Sequence, residues 1–394
     1  MKLFRQMFAV TAMNLRSLPQ RAATSLVIVI GIAGVVAVMT SVLAMSTGMV
    51  KTMNSTGRDD RVIVMRNGST AENSSAISRD SLRLVMDAPG VKRDAEGKPI
   101  LSAEGLRLMT LYKKADDTQV NVILRGAGPQ LLKLRPEIRI TAGRMFNPAV
   151  TEIIVGKSAA AQYKGLQLGD KVATRRTTWT VVGTFETGGD SHESELLTDA
   201  DTLMSAEQRG NYQSILVMLE SPQAFQRFKD AVTSNPALAM DVARERDYFQ
   251  EASKGISKVI SFLAYVVGGI MAVGAVFGAL NTMYSAVSER LREIATLRAL
   301  GFGATAMVVS VLIEALLLAG IGGVIGALLA WLFFNGHTVS TGGQGMGQLV
   351  FDLSVSPQLM VFGIVWAAVI GLIGGLFPAI RAARLPVATA LRAI

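Results

Sequence analysis

The chain is 394 residues long, half of them apolar and 38 of them glycine, with a formal net charge of +9. So apolar a composition excludes an ordinary soluble enzyme and fits a membrane protein with a sizeable soluble part, and the absence of cysteine removes disulfides, thiol catalysis and thiolate-bound metals. The charge is not a nucleic-acid footprint: Lys51 to Asp247 holds 27 Lys/Arg against 25 Asp/Glu, so the excess flanks the apolar runs and reads as topology.

Residues 1–21 read as an amphipathic, cytoplasmic or interfacial helix. Leu3, Phe4, Met7, Phe8, Thr11, Leu15 and Leu18 trace one face, and Lys2, Arg5 and Arg16 lie away from it. The run 22–45 is longer than a signal-peptide core of about 7–15 residues and long enough to span a bilayer. It is expected to be an uncleaved first span.

From 46 to 250 hydropathy drops and strand and helix patterns alternate, which predicts a mixed α/β domain of two subdomains with an inserted lobe at about 141–198. Strands are expected at 61–66, 105–112, 120–125, 152–155, 171–175, 179–185 and 214–219. Helices are expected at 78–86, 129–134, 158–162 and 222–232, the first with Ser78 as N-cap. Asp190, His192, Glu193 and Glu195 are the nearest approach to a catalytic cluster. They lack metal-ligand spacing and a nucleophile partner, and their glycine-led stretch reads as an exposed polar loop, solvated or touching a partner. No metal site follows from His192 and His337, which lie far apart.

A second span is expected at 256–286. A helix of about 30 residues is near 45 Å long and outreaches a hydrocarbon core of about 30 Å, so it should project or tilt. The segment 288–301 is amphipathic, with Leu291, Ile294, Leu297 and Leu300 on one face, Glu289, Arg290, Arg292, Glu293 and Arg298 mostly on the others, and Gly301 placed to stop the helix. It is either a solvated connection between spans or a cytoplasmic docking helix that passes force into both. The third span is expected at 305–334, a short external loop at 335–357, the fourth span at 358–378 and a cytoplasmic tail at 379–394. Basic residues before the first span, between the second and third, and after the fourth put both termini inside and the large domain outside.

Inside the spans Glu314 is the one deeply placed acid, either functional or simply hydrogen-bonded, with Asn281 and Thr282 as candidate partners. Three glycine pairs, Gly274 with Gly278, Gly322 with Gly326 and Gly371 with Gly375, make small helix faces that serve packing within the chain or dimerisation. No Walker A pattern occurs, so this chain holds no ATP-binding loop and no cofactor site; the ATPase and its Mg-ATP are expected on another polypeptide.

Arg292-Glu-Ile-Ala-Thr-Leu-Arg-Ala-Leu-Gly301, followed by a span containing Glu314 and Gly320/Gly322/Gly323/Gly326, resembles the MacB/FtsX-like ABC transporter permeases. The start, Asn14-Leu-Arg-Ser-Leu-Pro-Gln-Arg21, and the end, Phe377-Pro-Ala-Ile-Arg-Ala-Ala-Arg384 continuing to Arg392, are similar to the family's ends, and the middle matches more loosely. The resemblance implies a non-catalytic permease subunit of a bacterial inner membrane, dimerised with a second copy or paralogue and served by a cytoplasmic ABC ATPase. A periplasmic adaptor or outer-membrane partner is a further implied contact, and no nucleic acid is. It implies export or extraction of a lipoprotein, lipid, peptide or drug, with Arg290, Arg292, Glu293, Leu297, Arg298 and Leu300 as ATPase-coupling residues. Two other readings stand beside it. One is a signalling scaffold that regulates an external hydrolase without moving substrate; the other is a membrane-anchored enzyme resting on the Asp190–Glu195 loop.

Overall fold

A computed structural model describes residues 2–174, 176–341 and 347–384. In chain order the first half forms α1 (Lys2–Ser17), α2 (Ala22–Ser55), β1 (Arg61–Arg66), α3 (Arg79–Met86), β2 (Leu101–Tyr112), β3 (Gln119–Ala127), α4 (Leu131–Leu134), β4 (Arg139–Gly143), β5 (Glu152–Gly156), α5 (Lys157–Gln162), β6 (Lys171–Ala173) and β7 (Thr178–Glu186). The second half forms β8 (Leu196–Asp199), α6 (Ala200–Ala206), β9 (Ser214–Met218), α7 (Phe225–Thr233), β10 (Met240–Arg244), α8 (Glu245–Glu289), α9 (Leu291–Ala299), α10 (Ala304–Phe334), β11 (Thr338–Thr341), β12 (Leu349–Asp352) and α11 (Pro357–Arg384). They divide into two units. An α/β unit holds Gly48–Ser257 and Thr338–Asp352, and a helical unit holds the described parts of Met1–Thr47, Lys258–His337 and Leu353–Ile394.

The α/β unit is built on one ten-stranded sheet in the order β10-β1-β9-β2-β3-β8-β5-β7-β4, with β6 on β7. The long strand β2 changes partner part-way along: Leu101–Glu104 pair with β9, and Gly105–Tyr112 pair with β3. Two apolar cores follow from that change. Val62, Val64, Val217, Phe228 and Val242 pack together at one end, and Leu124, Val155, Tyr163, Trp179 and Val181 at the other. The stretch 141–198 supplies β5, β6, β7 and β8 and is knit to the rest by the parallel β3–β8 pair. Gly126 admits helix α6 to the sheet, because a Cβ there would lie 2.8 Å from Ala200 Cα.

Strand patterning located β1, β5, β7 and β9 closely, and Ser78 caps α3 by accepting from the Ser81 amide at 3.1 Å. Unanticipated are β4, β8, β10 and α6. So is the hairpin β11–β12, which lies within the short loop expected at 335–357. Within the α/β unit Val350 of that hairpin joins the Trp179 core, and its amide donates to Ser194 Oγ at 2.9 Å.

Among the described residues four helical stretches are long and apolar enough to cross a membrane: Gln6–Ser55, Glu245–Glu289, Ala304–Phe334 and Pro357–Arg384. Helix α8 starts well before the 256–286 run that hydropathy marks. Its 45 residues extend about 67 Å at 1.5 Å per residue. In the helical unit α10 and α11 pack closely along their length, and α1 lies on α10 through buried Val10 and Asn14. Phe4 and Phe8 of α1 point outward, 78 % and 74 % exposed. The expected tail beyond Arg384 lies outside the described residues.

Candidate functional site

Three arginines on or beside strands would be costly in an apolar interior unless each met carboxylates. Arg61, Arg125 and Arg135 are 1–3 % exposed, and each does. Arg125 takes Glu195 at 2.7 Å, Glu104 at 2.6 Å and Glu72 at 2.9 Å. Arg61 takes Glu245 at 2.6 Å and Glu137 at 2.6 Å, and Arg135 bridges Glu104 at 3.5 Å and Glu245 at 3.3 Å. Glu245 is fully buried and is the first residue of α8, so the long helix begins inside this cluster.

The expectation of an exposed 190–195 loop is overturned. Ser191–Ser194 form a buried 3-10 turn, and Asp190, His192, Glu193 and Glu195 are 2–6 % exposed. Their partners come from distant strands and loops, which is why local polarity misled. Arg135 donates to His192 Nε2, leaving Nδ1 as the protonated nitrogen, 3.2 Å from Glu195. Glu193 accepts from the amides of Thr187 at 2.7 Å and Gly189 at 2.8 Å, and Asp190 caps the turn through the His192 amide at 2.9 Å.

Burial alone would push the Glu72 and Glu195 carboxyls up, but the Arg125 guanidinium outweighs it and holds both below the usual carboxylate range. Burial likewise works against the Arg125 charge, and Glu195, Glu72 and Glu104 more than offset it. Asp190 has no such counter-charge in full contact, and burial pushes its carboxyl above the ordinary 3.8. All four loop residues are thus engaged in hydrogen bonds or ion pairs inside the α/β unit.

In the helical unit α8 breaks at Arg290 (φ −100°), and α9 runs to Ala299 before Gly301 turns the chain at φ +92°. Ile294 and Ala295 are buried, whereas Arg292, Glu293, Thr296 and Ala299 are exposed. Leu300 departs from the expected apolar face: as the C-cap residue it swings outward and is 72 % exposed. Leu297 and Arg298 are half-buried, and Arg298 donates to Ala383 O of α11 at 2.9 Å. Arg290 is 5 % exposed and turned inward, donating to Ser17 Oγ at 2.7 Å and facing Glu314 at 3.4 Å. It is therefore a clamp on α9 rather than an outward contact. The partner of Glu314 is Arg290, not Asn281 or Thr282: Asn281 is exposed, and Thr282 turns back to Gly278 O at 2.8 Å. Arg21 adds a tie to Ala286 O at 3.2 Å, and α1 one from Asn14 to Ser310.

The glycine pairs are used unequally. A Cβ on Gly322 would meet Ile32 Cβ at 3.2 Å, one on Gly326 Val36 Cβ at 2.9 Å, and one on Gly375 Ala315 Cβ at 2.6 Å. A Cβ on Gly371 would meet Ala315 O at 3.1 Å, whereas among the described residues nothing lies within 4 Å of one on Gly274 or Gly278. Two of the three small faces are consumed by α2, α10 and α11, and the α8 face stays open.

Sequence reasoning passed over Arg61, Arg125, Arg135, Glu72, Glu104 and Glu245. The available signal was an ionisable residue inside an apolar strand pattern, as in Val122-Ile-Leu-Arg125 and Leu101-Ser-Ala-Glu104.

Comparison with known proteins adds the following. Residues 22–235 match the MacB-like periplasmic core domain, and residues 265–387 match the FtsX-like permease C-terminal domain. An uncharacterised ABC transporter permease of Methanocaldococcus jannaschii is 25 % identical over 231 residues, 56 % of each chain. The macrolide export ATP-binding/permease protein MacB of Hahella chejuensis is 27 % identical over 292 residues, 68 % of this chain and 42 % of that one. The chain thus spans about half the length of these curated relatives. The crystal structure of the extracellular domain of the transporter YknZ aligns with 46 % of this chain and 99 % of its own at 17 % identity and a TM-score of 0.36.

Proposed function

The chain belongs to the MacB/FtsX-like ABC transporter permeases, and from that membership we propose that it is a non-catalytic membrane subunit turning ATP hydrolysis by a partner into movement of its α/β unit. The ATP-binding partner docks on α9 in the cytoplasm, the α/β unit, inserted between the first two spans, works on the far side of a bacterial inner membrane, and the work is export or extraction of an amphipathic or apolar substrate. Both termini then lie inside. The observation that carries this reading is α8, one unbroken 45-residue helix that opens with Glu245 in the buried ion cluster and closes one residue short of Arg290. Such a rod needs no hinge to carry displacement between its ends.

At its lower end the docking residues are Arg292, Glu293 and Leu300, which are exposed, supported by half-buried Leu297 and Arg298 and by the Arg290 clamp. A second permease copy or a paralogue is the expected partner for the open Gly274/Gly278 face, since four spans are few for a sealed path. The test is permease-stimulated ATP hydrolysis in proteoliposomes holding the chain and its ATP-binding partner. Leu300→Asp leaves the fold untouched because the side chain is exposed. Loss of an apolar anchor of about 2 kcal/mol then weakens docking roughly thirty-fold. Full stimulated hydrolysis by Leu300→Asp at limiting partner concentration would falsify the docking assignment.

A further inference from the structure

The α/β unit contains a cavity of about 200 Å³ that the coupling mechanism does not use. Its walls are apolar, with Met49 and Met53 from α2, Leu108 and Ile123 from β2 and β3, and Phe249 and Ile256 from α8. An apolar cavity of about 150 Å³ stays dry and accepts a benzene-sized group, so this one has room for roughly eight carbon atoms. Polar residues line part of the cavity as well, and two of their atoms stand without a partner. Ser191 is 6 % exposed and its Oγ has no hydrogen-bond partner among the described residues, and Gln348 Oε1 is buried in the same condition. A buried hydroxyl and a buried amide oxygen left unpaired cost free energy that a ligand can recover.

The charge of that ligand is decided by the groups beside them. Glu72, Glu195 and Arg125 also line the cavity, but Glu72 gives both oxygens to Arg125 at 2.9 and 3.1 Å, and Glu195 both of its own at 2.7 and 2.9 Å. Arg107 is paired with Glu207 at 2.9 Å. With these lining charges already matched, a phosphate or carboxylate head would arrive without a counter-ion, whereas a neutral hydroxyl or amide would satisfy both orphaned atoms. The source is suggested by the walls. Met49 and Met53 lie in the last two turns of α2, Phe249 and Ile256 near the start of α8, and both helices continue as candidate membrane spans.

We propose that this cavity binds one hydrocarbon chain ending in a neutral hydroxyl or amide, drawn from the lipid phase, as in a glyceride or an acylated amine. The proposal rests on the transport reading for the route of that chain, and it deepens it by naming an uncharged, aliphatic feature of what the α/β unit handles.

The experiment uses the full chain in nanodiscs with an eight-carbon monoacylglycerol bearing a diazirine, followed by mapping of the labelled peptides. Adducts are expected at Met49–Met53 and around Phe249, competed by plain monoacylglycerol but not by the fatty-acid anion of equal length. Ile123→Trp should fill the space and remove those adducts while labelling of α10 and α11 persists; Leu108→Trp supplies the same readout should the first variant misfold. Ser191→Ala should weaken competition roughly tenfold, the value of one buried hydrogen bond. Labelling confined to α10 and α11, labelling indifferent to both tryptophans, or equal competition by the anion each overturns the proposal. Stimulated ATP hydrolysis measured in the same nanodiscs separates the two ideas: stimulation without cavity adducts removes the cavity alone, and adducts without stimulation keep the site and remove the transport reading.

Discussion

In the α/β unit, three buried arginines and the carboxylates of Glu72, Glu104, Glu195 and Glu245 meet where β1, β2, β3 and the start of α8 converge. In the helical unit the close approaches run through Gly322, Gly326, Gly371 and Gly375 against Ile32, Val36 and Ala315, and among the described residues the buried charge is the Arg290–Glu314 pair. The first arrangement depends on every partner being present; the second depends on side-chain atoms being absent. Water offers one reason. A sheet exposed to it on the way to folding can bring charges together and exclude solvent afterwards, whereas helices in lipid gain little from apolar burial and rely on fit. The two should therefore fail to opposite kinds of substitution: one to removal, the other to addition.

The sharpest break is Arg125→Met. It leaves Glu72, Glu104 and Glu195 facing one another in a dry interior, and removing one member of a buried ion cluster costs about 3–5 kcal/mol. Chemical denaturation of the full chain in detergent, read by Trp179 fluorescence, should show that loss. A variant as stable as the parent would mean that the carboxylates ionise independently of the arginine.

Addition is the test in the helical unit. Gly326→Val forces a branched side chain against the Ala33 and Val36 backbone and side-chain atoms, and overpacking of this kind costs about 1–3 kcal/mol. Gly274→Val meets nothing within 4 Å, so within one chain its effect should stay inside about 0.5 kcal/mol. Thermal unfolding of both variants in detergent checks the difference. If Gly274→Val proves harmless to the isolated chain yet shifts its oligomeric state, the open α8 face is where a second copy packs.

The same contrast explains what was legible in the sequence. Spans could be read because hydropathy sums over many residues, and β1 and β7 because alternation is a local property. The start of α8 could not, since Glu245–Gly255 is polar and nothing in it marks where a helix begins. Strand β4 is exposed at every position and shows no alternation, and β11 and β12 are only four residues each beside a glycine-rich stretch. The surface of α9 was half legible. The apolar period correctly buried Ile294, but periodicity cannot foresee that the chain leaves the helix at Leu300, where Gly301 takes a positive φ. The ion cluster was the least legible part, because its charges are compensated by residues far away in sequence. Asp190–Glu195 then reads as solvent-facing when it is the inside of a network.

Asp190 sharpens the comparison most finely, because it is buried beside that network without a salt bridge among the described residues, and burial shifts its carboxyl. Burial raises its carboxyl above 3.8, so its contribution to stability is fully present below 3.8 and is lost as pH rises through the folded value. Above 3.8 the fold therefore bears the cost of holding that carboxyl away from water. Asp190→Asn keeps an acceptor for the His192 amide and the Thr187 hydroxyl and removes the charge. The variant should melt slightly above the parent at pH 7, with the gain shrinking as pH falls toward 3.8. Glu72 and Glu195 behave in the reverse sense. Their carboxyls are held below the ordinary 4.5, so their stabilisation persists above that value and disappears as pH drops through the folded one, in parent and variant alike. Should Asp190→Asn instead melt lower at pH 7, the Asp190 charge is being used by Arg135, and the ion cluster extends one residue further than its direct contacts indicate.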